Sequence, residues 1–153
     1  MKKILRISVV LLVIAGVAYG YYRSKYPYGS THRCSKVLAG YLEEYANSHD
    51  GNYPQPVRPD QLGLELLLDA NLGDSDLLLE LVVGKAGDLS EARRFYAEHG
   101  YLKPEHSSWN YVTGVSAADK GRAIAWDKIP LPPWCRSRIW VSSANEHRQY
   151  ELD

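Results

Sequence analysis
Residues 34–54 read Cys34-Ser-Lys-Val-Leu-Ala-Gly-Tyr-Leu-Glu-Glu-Tyr-Ala-Asn-Ser-His-Asp-Gly-Asn-Tyr-Pro54, and their pattern decides the fold. Val37, Leu38, Tyr41, Leu42 and Tyr45 recur at helical spacing on one face, with Glu43, Glu44 and Asn47 toward the other. Asp50-Gly51-Asn52 is a stop signal, and Tyr53-Pro54 opens an extended stretch that also holds Pro56 and Pro59. The pattern predicts an amphipathic helix begun by Ser30 or Thr31 and running through His49. Its apolar face needs a partner, and the rest of the chain must supply one.

Downstream, Asp60 is placed to cap a third helix carrying Leu62, Leu66, Leu67 and Ala70. The apolar run Leu77–Val83 reads as helix or strand. Asp88 or Ser90 begins a further helix, with Ala92, Phe95 and Tyr96 inward and Gly100 as its stop. After Pro104 the period changes. Trp109, Tyr111 and Val115 bound one strand, and Arg122–Asp127 forms a second. Ile139–Ser143 and Arg148–Leu152 are a third and fourth, joined by the tight turn Ala144-Asn145-Glu146-His147. Strands separated by short turns imply an antiparallel meander, and helices segregated before strands imply an α+β fold with a small antiparallel β-sheet.

Upstream, Lys2, Lys3 and Arg6 precede the charge-free apolar run Ile7–Tyr22. As a helix this run spans roughly 24 Å, and Ile4 and Leu5 bring it close to a ~30 Å hydrocarbon core. Tyr19, Tyr21, Tyr22, Tyr26 and Tyr28 lie where an interfacial aromatic belt would sit. The expected organisation is a cytoplasmic n-region over 1–6, a transmembrane helix or signal-anchor over 7–22, a juxtamembrane linker over 23–29, and an extracytoplasmic domain over 30–153. That makes the protein single-pass in the inner membrane, N-in, with its C-terminal domain periplasmic. The alternative is a cleaved signal peptide, with Ala18 and Gly20 placed like a cleavage site and the domain secreted.

The chain of 153 residues balances 18 Lys and Arg against 18 Asp and Glu, and no basic stripe with interleaved aromatics is present, so nucleic acid is not an expected partner. Cys34 and Cys135 are the only cysteines, and in an oxidising compartment an even pair reads as one disulfide. Closing a loop of about 100 residues adds up to ~4.7 kcal/mol on the chain-entropy account. The competing reading is two unpaired thiols. Neither cysteine stands in a thiol-hydrolase signature with His32, His49, His99, His106 or His147, so no catalytic residue is expected.

Asp69, Asn71 and Glu80 fit positions 1, 3 and 12 of a calcium loop, but Gly73 and Asp74 stand in swapped places. A helix end at Asn71–Gly73 and a new helix capped by Asp74 or Asp76 accounts for the same residues, and no cofactor or metal is expected. Trp109, Trp126, Trp134 and Trp140 either pack the sheet or line a ligand groove.

The layout of a membrane helix, a second helical stretch and a small antiparallel sheet resembles type IV pilins and type II secretion pseudopilins. Cys34–Pro54 is similar to the pilin-like proteins of Planctomycetes and Verrucomicrobia, as are Trp109-Asn-Tyr-Val with Gly114 and the Ala-Ile-Ala-Trp-Asp strand of Ala123–Asp127. That family closes with a His, nine residues and an Asp-Gly hairpin turn followed by His. Here Cys135 stands for the first His, Asn145-Glu146 for Asp-Gly, and His147 and Tyr150 match the second His and an aromatic. The prepilin cleavage motif is missing, because Arg6-Ile7-Ser8-Val9-Val10-Leu11 has neither its Gly nor its Glu. The resemblance implies a non-enzymatic, membrane-anchored protein with a structural or interaction role among envelope protein partners. The alternative is a secreted or anchored ligand-binding module that uses the Trp-bearing sheet.

Overall fold
The structure is a computed structural model that describes residues 2–25, 34–128, 137–141 and 150–152. The chain divides into two compact units, Met1–Arg33 and Cys34–Asp153.

The first unit is the helix α1, Lys2–Lys25. Its described side chains are those of residues 8–22, all of them exposed. Val9, Val10, Leu11 and Leu12 stand 52%, 56%, 60% and 73% open, and as four consecutive residues at steps of about 100° they face all sides of the helix. The apolar surface therefore runs around the whole circumference. Residues 8–22 span roughly 22 Å, and among the described residues no helix is long and apolar enough to cross a membrane.

The second unit is α+β. It runs through α2 (Cys34–Ser48), a single turn α3 (Leu66–Asp69), α4 (Ser75–Val83), α5 (Leu89–His99) and a 3₁₀ turn (Pro104–His106). The strands β1 (Trp109–Tyr111), β2 (Ala123–Asp127), β3 (Ser137–Trp140) and β4 (Tyr150–Leu152) follow. The sheet is an antiparallel meander in the order β1-β2-β3-β4, as the strand spacing predicts.

The amphipathic face of α2 is rotated from the one read in sequence. Ser35, Leu38, Ala39, Leu42 and Ala46 are its buried residues, while Tyr41 and Tyr45 flank them half-buried. Small Ala39 and Ala46 let the helix approach closely enough for β3 to pack against it. The ambiguous run Leu77–Val83 is helix, because Asp74 caps it by accepting from the N–H groups of Asp76 and Leu77 at 2.8 and 3.2 Å. Asp88 caps α5 in the same way, and Gly100, left-handed at φ 72°, ends it.

The third helix expected from Asp60 does not form. Gly63 takes φ +91° and Leu62 N–H leaves for the Leu102 carbonyl at 2.8 Å, so only one turn survives at Leu66–Asp69. Asp60 instead accepts from the Tyr101 hydroxyl at 3.2 Å. The first strand is shorter than Trp109–Val115 because Gly114 turns the chain at φ +71°. The third begins earlier than Ile139, at Ser137. The turn at 144–147 lies outside the described residues, as do Ser30 and Thr31.

The last turn of α4 ends in the core, where its open carbonyls have no water. Residues just before and within β1 satisfy them. Ser107 Oγ donates to Val82 O at 2.6 Å, Ser108 N–H to Val83 O at 2.7 Å, and Trp109 Nε1–H to Leu81 O at 2.8 Å. Gly84 makes this approach possible. A Cβ there would lie 2.2 Å from Ser108 Oγ and 2.8 Å from Trp109 Nε1, at φ +78°. Gly84→Ala should therefore destabilise the domain by more than the ~1–3 kcal/mol of positive-φ backbone strain alone. Gly114→Ala, also at positive φ but with open space around it, should cost only such strain. Urea unfolding of the two variants beside wild type measures the difference.

Candidate functional site
Among the described residues, the tryptophans do not form one groove. Trp109 is fully buried and holds the end of α4, so it packs the core. Trp126 and Trp140 are half-buried. In the register, Asn110, Trp126, Arg138 and Glu151 line up across the four strands, and the Arg138 guanidinium lies 5.5 Å from the Trp140 ring. Trp134 lies outside the described residues, as do Cys135, Asn145, Glu146 and His147. Cys34 opens α2, with its side chain outside the described set, and Tyr150 opens β4 opposite Ile139. The expected disulfide therefore falls outside what the structure describes.

The calcium-loop alternative does not assemble. Asp74 caps α4, Asn71 takes φ +52° at the preceding turn, and Asp69 accepts from the Tyr96 hydroxyl at 2.9 Å. Among the described residues, no three His, Cys, Asp or Glu side chains are grouped to hold a metal ion. His99 Nδ1 must donate to the Phe95 carbonyl at 3.1 Å, with its ring stacked on Phe95 at 4.1 Å. His106 Nδ1 must accept from the Lys103 N–H at 3.1 Å. Each imidazole is thus fixed by backbone at one nitrogen.

An open cleft of about 210 Å³ beside His106 is lined by Asp88, Glu91, Glu105, Ser108 and Lys128. Lys128 Nζ donates to the carbonyls of Pro104 and Ser107 at 2.5 and 2.8 Å. Burial there pulls its pKa down, with Glu105 opposing.

The densest polar cluster joins residues far apart in the sequence. Lys85 Nζ lies 3.0 Å from Asp127 Oδ2 and 2.9 Å from Ser137 Oγ. Ser137 also donates its N–H and its hydroxyl to the same Oδ2, at 2.7 and 2.9 Å. The side chains of Lys85 and Asp127 are 6% and 0% exposed. The cluster ties the α4–α5 connection to the end of β2 and the start of β3. The sequence signal was an Asp closing an apolar strand, since such a residue is seldom buried without a partner.

Comparison with known proteins adds no relative: no family model, no curated protein and no solved structure matches the chain.

Glu65 is a second buried acid. It is 1% exposed, and neither carboxyl oxygen has a hydrogen-bond partner among the described residues. Burial pushes its pKa up, against the opposing pull of nearby backbone N–H groups and Gln61. The folded domain thus binds the Glu65 proton more tightly than the unfolded chain does. This contribution to stability is full below the unfolded value of about 4.3 and is lost as pH rises through the folded pKa. Glu65→Gln should therefore stabilise the domain at neutral pH, with the gain shrinking toward zero below about pH 4. Thermal melts of both proteins across that range check the sign.

Proposed function
We propose that this protein is a membrane-anchored, extracytoplasmic, pilin-like α+β domain with a structural or protein-interaction role in the cell envelope. The exposed apolar circumference of α1 carries this reading. In water, each fully exposed Val, Leu or Ile forgoes ~1.5–3 kcal/mol of burial, and a helix apolar on all sides is a helix for a core or a bilayer. The charge-free run Ile7–Tyr22 within α1 spans roughly 24 Å, and Ile4 and Leu5 bring it close to a ~30 Å hydrocarbon core. Lys2, Lys3 and Arg6 at its start favour an N-in orientation, and Tyr19, Tyr21 and Tyr22 suit the far interface.

The pilin-like part of the reading is supported by order and packing. The helix α1 comes first, then a helix that packs on an antiparallel meander. The sequence similarity of Cys34–Pro54 adds to it. A non-enzymatic role suits the polar clusters, which are engaged in caps, backbone contacts and a buried ion pair.

Alkaline extraction of membranes, followed by mass measurement with and without reductant, tests the proposal. The expected result is a full-length chain retained in the membrane pellet, two hydrogens lighter without reductant than with it. A chain released into the soluble fraction and shortened near Ala18 or Gly20 would replace the anchor with a signal peptide. A full-length soluble chain would remove the membrane reading altogether.

A further inference from the structure
We propose that Lys85 and Asp127 become joined by an intramolecular amide bond, formed with loss of water and assisted by Ser137. The geometry supplies the parts. The Lys85 amine lies 3.0 Å from the Asp127 carboxyl, which is fully enclosed, and the two residues are 42 positions apart in sequence. Asp127 Oδ2 receives both the N–H and the hydroxyl of Ser137. Two donors on one carboxyl oxygen polarise Cγ and are in place to hold the negative charge that gathers there during attack. Ser137 Oγ also accepts from Lys85 Nζ at 2.9 Å, so one hydroxyl bridges nucleophile and electrophile.

The other oxygen, Oδ1, is buried with no hydrogen-bond partner among the described residues. Such an atom ordinarily costs ~1–3 kcal/mol. It is also the oxygen the reaction removes. The proposed reaction begins with transfer of one ammonium proton from Nζ to the carboxylate, which leaves a neutral amine facing a neutral acid. Nζ then forms a bond to Cγ, and the Cγ–Oδ1 bond breaks. Oδ1 leaves as water with the transferred proton and a second proton from Nζ. Oδ2 remains as the amide carbonyl under the two Ser137 donors, and Nζ keeps one hydrogen. No oxidant or cofactor enters the balance. The product has no buried charges and no orphan oxygen.

Such a bond would cross-link the α4–α5 connection to β2, which suits a domain exposed to mechanical or proteolytic stress. The inference does not rest on the membrane reading, since it needs only the folded second unit. Purified full chain, denatured and reduced, is digested with trypsin and its peptides are weighed. The expected result is a branched peptide joining the segment that contains Lys85 to the one that contains Asp127, lighter by one water than the sum of its parts. Trypsin would no longer cut after Lys85. Ser137→Ala should slow its appearance in freshly folded protein while the ion pair stays available. Recovery of Lys85 and Asp127 wholly in separate, unmodified peptides from aged, folded protein would overturn the proposal, whatever the variants do.

Discussion
A helix cannot end in a dry core unless something takes its last carbonyls, and this requirement organises the second unit. Leu81, Val82 and Val83 end α4 with their carbonyls pointing at residues 107–109. One backbone amide, one hydroxyl and one indole N–H answer them. That single junction sets where β1 begins, buries Trp109, and demands a residue without a side chain at position 84. With β1 placed, the antiparallel register carries β2, β3 and β4 across, and α2 packs on the sheet they form.

Much of this architecture was legible in the sequence for physical reasons. Capping residues announced α4 and α5, since Asp74 and Asp88 can satisfy amide groups that a helix leaves open. Alternation and short spacing announced the meander. The failures have causes too. Helical periodicity at Leu62, Leu66 and Leu67 suggested a longer helix, but one left-handed glycine and one long-range bond to Leu102 redirected the backbone. In the sequence pattern of α2 the bulky tyrosines outweigh the alanines, whereas close packing on the sheet favours the small residues. The tryptophans looked equivalent in sequence, and only tertiary contacts separate the core residue Trp109 from Trp126 and Trp140 at the half-buried positions.

The least legible feature was the polar cluster of Lys85, Asp127 and Ser137. Its members lie 42 and 10 positions apart along the chain, so no local motif could reveal them. The fold brings them together because Lys85 follows the same α4 terminus that seats β1. A buried ion pair of this kind is weak evidence for stability, since desolvation offsets much of the attraction. Its interest is chemical and positional: it holds three separate segments at one point.

The two units pose opposite solvent problems. The second buries a leucine-rich core within itself, whereas the first displays apolar residues on every side. The proposed resolution is that α1 meets lipid and delivers the following domain across a membrane. The most direct measurement fuses, to the C-terminus of the full chain, a reporter active only outside the cytosol, and in parallel one active only within it. The account predicts signal from the first and none from the second. The reverse outcome would contradict it.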